Sequence, residues 1–430
     1  MSESSARAKG LFFAAVLVAA FTAMTVAAQK RAPAPSTTQR PAAGAESLEA
    51  RALRIHREAI VFDGHLDVVR LIEQPGWKFT DRHPPNNATE DHIDLPRMKE
   101  GGLTGGFFAI DDNDQIKGPA VVEDSLRHLD TLRSLAEQMP DEVVLCLTAN
   151  DVRRAKAAGK VAMIMAIEGG HMINDSLATL RTYARLGARY MTLTHFANTS
   201  WADASGQKPE HNGLTDFGKE VVREMNRLGL IVDISHTSDK TFYDALETSQ
   251  APIFASHSST RALFENPRNM TDDMIKALAA KGGIIAINFH AGFLDSAFAQ
   301  ARQKLVREVA ALRKELEAKY PPEEARKRAD EALEVGYTRL PKVPWTRIVD
   351  HIDHAAKLVG VDHVGLGSDF DGGPTPDGLD DSSYMPRITE ELLRRGYREA
   401  DIKKILGGNT LRLLEEVEAV SKKLRAQATN

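Results

Sequence analysis

The chain has 430 residues, 42% hydrophobic and 27% charged, which supplies a large apolar core and excludes an intrinsically disordered chain. Its 55 Lys and Arg against 60 Asp and Glu give a net charge of -5 with no long basic block, which excludes nucleic acid as a partner. A single cysteine, Cys146, rules out an intramolecular disulfide framework and a cysteine-rich metal site, so a metal here must be held by His, Asp and Glu.

The first thirty residues open with Arg7 and Lys9 and continue as an apolar run from Leu11 to Ala28, with small residues at Val26 and Ala28. Residues 1–28 therefore read as an export signal. Retention as a membrane anchor is the alternative, because a run of about 18 residues stands at the lower limit for spanning a bilayer. Both readings place the folded domain outside the cytoplasm, periplasmic or secreted, or tethered through residues 11–28. Residues 29–46, rich in Pro, Ala, Thr and Ser, cannot bury a core and read as a linker. The folded domain is expected over 47–430.

From there, short apolar runs alternate with longer amphipathic stretches, the pattern of a parallel sheet wrapped by helices. Eight runs stand out: Ile60–Asp63, Gly105–Ile110, Val161–Ile167, Tyr190–Thr194, Leu230–Ser235, Pro252–Ser256, Gly283–Asn288 and His363–Gly367. Helices are predicted over Ser176–Leu186, Thr215–Leu228, Ser238–Thr248, Thr271–Lys281 and Trp345–Leu358. The unbroken apolar character of Val161–Ile167 and Gly283–Ile287 says that both faces of the sheet are covered. Eight strand-helix units close as an α/β (β/α)8 TIM barrel, with a doubly wound open sheet as the alternative. Residues Ala297–Arg339 break the rhythm: rich in Ala, Glu, Lys and Arg around Pro321-Pro322, they predict a charged helical hairpin, an insertion after the seventh strand. The segment Ile388–Leu424 reads as closing helices.

Polar residues collect where the predicted strands end. The first run leads into Asp63-Gly-His65-Leu-Asp67, the third into Glu168, the fourth into His195, the fifth into Asp233-Ile-Ser-His236, the sixth into His257 and the eighth into Asp369-Phe-Asp371. In a barrel these ends converge on the C-terminal face, where catalytic groups are found. Each motif alone is weak, since a lone strand histidine is more often a hydrogen-bonded structural group than a ligand. Glu168 is different, because a carboxylate directly after seven apolar residues is costly to bury without a metal, a cation or strong hydrogen bonds. Taken together, these histidines and carboxylates predict a dinuclear metal site. Imidazole and carboxylate donors suit zinc, and also accept manganese, cobalt or iron.

The ordered set Asp63-Gly-His-Leu-Asp67, Glu168-Gly-Gly, Leu193-Thr-His195, Asp233-Ile-Ser-His236, Ser256-His-Ser-Ser259, Pro267-Arg-Asn269 and Gly367-Ser-Asp-Phe-Asp-Gly372 resembles the membrane dipeptidase (renal dipeptidase) family, peptidase family M19. It spans the domain from about Ile60 to Thr410. The resemblance implies two Zn2+ ions per chain, one bound by His65 and Asp67, the other by His236 and His257, with Glu168 bridging. It also implies substrate contacts from His195 and Arg268, proton transfer by Asp369, a dipeptide substrate and a homodimer. The charged hairpin and the lack of paired cysteines depart from vertebrate members without touching these positions.

The chemistry agrees with that assignment. Two metals about 3.5 to 4 Å apart share a water and lower its pKa, giving a bridging hydroxide that attacks the peptide carbonyl. His195 can donate to the developing oxyanion, Asp369 can act as general base and then general acid, and Arg268 offers a planar fork for a carboxylate. Arg261 competes with Arg268 for that task, and Asp371 competes with Asp369, because alternation sends neighbours two apart to the same side; only the resemblance selects Asp369. Asp63 and Asp233 are candidates for orienting ligand histidines, and Trp201 is expected to pack. Two rival readings stand beside this one: an amidohydrolase-type enzyme acting on a lactone or cyclic or acyl amide, which usually opens with His-x-His where this chain has His65-Leu-Asp67, and a metal-site binding protein without turnover.

Overall fold

The computed structural model describes residues 46–428 except 89, 112, 113, 115 and 117, so the leader predicted over 1–28 and all but the last residue of the 29–46 linker lie outside the described residues. Nine strands form one all-parallel sheet: β1 Phe62–Leu66, β2 Gly105–Asp111, β3 Val143–Leu145, β4 Val161–Glu168, β5 Ala188–Thr192, β6 Ile231–Asp233, β7 Phe254–Ser258, β8 Ile284–Asn288 and β9 Val364–Gly367. Eight run in the order β1-β2-β4-β5-β6-β7-β8-β9, and β3 pairs with β4 off this path. All eight predicted runs overlap a ring strand, the first by only two residues, Phe62 and Asp63. The ninth strand is a correction to the count: Val143–Leu145 is three residues long and only partly buried, too short to carry a periodic signal.

The ring is nearly closed. Between β1 and the residues after β9 the contact is a single bridge, Leu66 to Phe370, in which Asp67 N donates to Phe370 O at 2.9 Å and Asp369 N donates to His65 O at 3.2 Å. The buried Asp63 carboxylate reinforces this seam by accepting from Ser368 N at 2.8 Å and His65 N at 3.1 Å through Oδ1. The fold is thus an α/β, TIM-barrel-like parallel barrel.

Alternation along the strands divides the core in two. Phe62, Phe107, Ala162, Ile164, Tyr190 and Phe254 belong to one buried cluster that also takes Leu411 and Leu414 from the helix Asn409–Ala428. Four of these are aromatic and meet ring to ring, with Phe107 4.9 Å from Tyr190 and 6.1 Å from Phe254. The alternate residues Met163, Met165 and Ile167 join the other cluster with helix residues such as Leu180, Val221, Phe242 and Ile275. Such packing demands small residues where strands crowd: a Cβ on Gly367 would lie 1.9 Å from Ser256 O.

The helices begin where side-chain oxygens can cap them. Ser176, Thr215, Ser238 and Thr271, the first residues of four predicted helices, accept hydrogen bonds from Thr179 N, Gly218 N, Thr241 N and Met274 N. The charged segment forms two helices, Ser296–Glu317 and Pro322–Tyr337, whose buried residues are Phe298, Ala325 and Ala329. They are tied to each other by Arg302 Nε donating to Tyr337 Oη at 2.7 Å, and to the barrel by Asn86 Nδ2 donating to Glu334 Oε1 at 3.0 Å. Among the described residues no helix is long and apolar enough to cross a membrane.

One buried histidine gives the fold a defined acid sensitivity. His56, in the helix Leu48–Glu58, lies within 2.7 Å of both Gly101 O (from Nε2) and Thr389 Oγ1 (from Nδ1), an arrangement met by a neutral ring that donates through Nε2. Burial lowers its pKa from 6.5 to about 4. The folded state therefore binds fewer protons than the unfolded chain between these values, and the stability present above pH 6.5 is lost as the pH falls through 4, by about 3 kcal/mol for this group. In urea titrations across this window, the variant His56→Gln is expected to start less stable at neutral pH and to lose less on acidification than the parent.

Candidate metal centre

The strand ends deliver seven side chains to one place. His65 and His257 belong to β1 and β7, Glu168 ends β4, and Asp67, His195, His236 and Asp369 lie just past the ends of β1, β5, β6 and β9. All seven are 9% exposed or less. Glu168 is central. Its Oε1 is 3.1 Å from His236 Nε2 and 3.2 Å from His257 Nε2, and its Oε2 is 3.4 Å from His65 Nε2 and 3.8 Å from His195 Nε2. Asp67 Oδ1 approaches His65 Nε2 at 3.1 Å, and the ligand atoms of His65, Asp67 and Asp369 lie within 4.8 Å of one another.

These donors fit divalent metal. His65 Nε2 and Asp67 Oδ1 are buried with no hydrogen-bond partner, and the Nε2 atoms of His236 and His257 face each other at 2.9 Å beside the same carboxylate oxygen. Lone pairs brought this close out of water need a shared cation. The electrostatics agree. Burial drives the Glu168 carboxyl up, but the His65, His195, His236 and His257 rings outweigh it and hold the group well below the usual carboxylate range. Asp67 goes the other way: burial, aided by Glu168 and Asp369, lifts it well above that range against the pull of His65.

Supporting bonds fix the rings. Ser256 Oγ lies 2.8 Å from both His257 Nδ1 and Asp233 Oδ2, so Nδ1–H can donate to the hydroxyl and the hydroxyl to the carboxylate, leaving the Nε2 lone pair facing Glu168. Asp233 also accepts from Thr192 Oγ1 at 2.6 Å and Ser256 N at 2.9 Å. His65 Nδ1 meets the Tyr190 hydroxyl. Of the two acids expected to orient histidines, Asp233 reaches His257 through Ser256, whereas Asp63 holds the backbone of His65, not its ring. His236 and Asp369 have φ of 63° and 62°, an unfavourable region for residues with a side chain. The first is held by Ser205 N and Thr194 Oγ1 donating to His236 O at 2.7 and 2.9 Å, and the second by Asn288 Nδ2 donating to Asp369 Oδ2 at 2.9 Å.

The ambiguities of the sequence separate here. Asp371 Oδ1 accepts from His92 N at 2.7 Å, while Asp369 joins His65 and Asp67. Arg261 forms a bidentate ion pair with Asp239 at 2.7 and 2.8 Å, whereas Arg268 is buried, donates to His257 O at 3.1 Å and keeps its Nε without a partner. Trp201 is buried against Phe217, as expected of a packing residue. Sequence reading missed Asn288 and Tyr190. The first had a signal, an amide ending the apolar run Ile284–Ile287; the second, one aromatic among strand residues, had none.

A cavity of about 660 Å³ opens over the centre, lined by Asp67, Glu168, His195, His236 and Asp369 and by Phe196, His290 and Phe293. The helix Ser296–Glu317 forms a further wall through Ala299, Gln300, Arg302, Gln303, Val306 and Arg307.

A parallel barrel that gathers imidazoles and carboxylates beneath a cavity at its strand ends is a metal-dependent hydrolase by architecture. The sequence profile of the membrane dipeptidase family, peptidase family M19, matches residues 49–428, and the chain belongs to this family of metallo-dipeptidases. It is 33% identical over 370 residues to the dipeptidase tcpJ of Claviceps purpurea, covering 84% of this chain and 77% of that one. Its fold is similar to the crystal structure of the probable dipeptidase PvdM from Pseudomonas aeruginosa, with a TM-score of 0.73 and 29% identity over 87% of this chain and 99% of that one. A metallopeptidase from Rhodobacter sphaeroides, liganded with a phosphinate mimic of the dipeptide L-Ala-D-Ala, gives a TM-score of 0.69 and 28% identity over 84% of this chain and all of that one.

The support behind His257 is open to test. Removing the hydroxyl with Ser256→Ala is expected to weaken metal retention by about 10- to 100-fold with the fold intact, read as metal content after dialysis against a graded chelator.

Proposed function

We propose that the chain is a dinuclear zinc dipeptidase working outside the cytoplasm, exported by residues 1–28. His65 and Asp67 would hold one ion, His236 and His257 the other, and Glu168 would bridge them. The observation that carries this reading is the division of the Glu168 carboxylate, with Oε1 toward His236 and His257 and Oε2 toward His65. When bound, such a metal pair supplies a water of lowered pKa and polarises the scissile carbonyl.

The chain's own residues account for the rest. Asp369, with Oδ2 occupied by Asn288 Nδ2, has Oδ1 available to take a proton from the attacking water and pass it to the leaving amine. His195 lies on the cavity wall beside Glu168 and would donate to the carbonyl oxygen as it becomes an oxyanion. Arg268 has guanidinium donors to spare for the substrate's C-terminal carboxylate. The ligand bound by the Rhodobacter relative supports acceptance of a D-residue on the C-terminal side. We read the hairpin Ser296–Tyr337 as an insertion on the barrel plan after the seventh ring strand, forming one wall of the substrate cavity.

Hydrolysis of L,L and L,D dipeptides, an N-acyl amino acid and a lactone by the purified chain tests the reading. Dipeptide cleavage is expected to vanish on chelation and return with zinc, and Asp369→Asn is expected to lower kcat by about 10²- to 10⁴-fold. Turnover of the lactone or acyl amide in preference to dipeptides would move the chain to another hydrolase class.

A further inference from the structure

Restriction to dipeptides requires that both ends of the substrate be sensed, and the roles above account for the carboxylate end. We propose that Asp111 receives the substrate's α-ammonium group; the inference rests on the dipeptidase reading. Asp111 is the last residue of β2 and stands in register with Glu168 at the end of β4, so parallel pairing turns both to the barrel mouth. Its carboxylate lines the cavity. The side chain is 13% exposed, and Oδ1 is buried without a hydrogen-bond donor. Arg70 forms an ion pair with Oδ1 through Nε at 3.5 Å but makes no hydrogen bond to it, and its Nη2 donates to Asp371 O at 3.1 Å. Glu90, another acid on the cavity wall, already accepts from Arg302.

The ring order supplies the second observation. β2 and β7 stand four places apart in a ring of eight, on opposite walls of the mouth. Arg268 follows β7 and is bonded to the carbonyl of His257. A zwitterionic dipeptide carries its ammonium and carboxylate at opposite ends of one peptide bond. Asp111 thus lines the cavity on the β2 side, and Arg268 lies on the β7 side, 5.2 Å from the ring of Phe293, which lines the same cavity. An ammonium, with three donors, satisfies the buried carboxylate oxygen. A peptide extended at its N-terminus would bring an uncharged amide to that point and leave the oxygen with only the long Arg70 ion pair, which disfavours it.

The test compares L-Ala-L-Ala with its des-amino analogue propionyl-L-alanine on zinc-loaded parent, Asp111→Asn and Asp111→Glu, with zinc content measured in each. Asp111→Asn is expected to keep its zinc and to lose about 10- to 100-fold in kcat/KM on L-Ala-L-Ala, mainly through KM, with propionyl-L-alanine unaffected. Asp111→Glu, which keeps the charge, retains most of the preference. Calorimetry with phosphinate dipeptide mimics with and without the amino group is expected to show the same loss of discrimination. An equal fall on both substrates, loss of zinc, or an unchanged preference in Asp111→Asn overturns the assignment while leaving the dipeptidase reading in place. Failure of the zinc-loaded parent to cleave L-Ala-L-Ala at all removes that reading and this inference with it.

Discussion

The structure is organised around one electrostatic constraint, a carboxylate held out of water among imidazoles. Glu168 is 4% exposed at the end of a strand whose eight residues are all buried, and no part of that strand can move it to solvent. An isolated ion there would be prohibitively costly. The rings of His65, His236 and His257 surround it, and each is in turn fixed by something further out: a tyrosine hydroxyl, a backbone conformation with positive φ, a serine leaning on Asp233. The barrel can be read as the device that brings these strands close enough for one carboxylate to be shared.

How much of this was legible depended on whether the relevant contact was local. The ring strands showed themselves because a sheet covered on both faces must be continuously apolar, and the metal donors because they interrupt that character at its ends. The choice between Asp369 and Asp371 was hidden by the two-residue alternation of strands. That alternation fails here: β9 stops at Gly367, and both aspartates take positive φ, so the chain has turned and sends one carboxylate to the centre and the other to His92. Arg261 and Arg268 could not be separated either, since the deciding partner, Asp239, comes from another part of the chain. Tyr190 meets His65 from across the barrel, and Ser256 links His257 to Asp233 on the adjacent strand, contacts that no local pattern reports.

The cavity is shared between two kinds of structure. Its floor is built from strand ends, rigid and fully packed; its outer wall is a charged helix with little buried surface of its own. Rigid positions suit groups that hold ions and protons, while a wall carrying Gln300, Gln303 and Arg307 can change its side chains without disturbing the core.

The seam between β1 and β9 has a consequence in time. Asp63 and Ser368, which meet across it, are 305 residues apart in the chain. His65 and Asp67 lie on one side of this join and Asp369 on the other, and their ligand atoms come within 4.8 Å of one another once it has formed. A growing polypeptide therefore holds most of the donor set long before it holds a hydrolytic centre. The join that completes the barrel is also the one that brings Asp369 to the site.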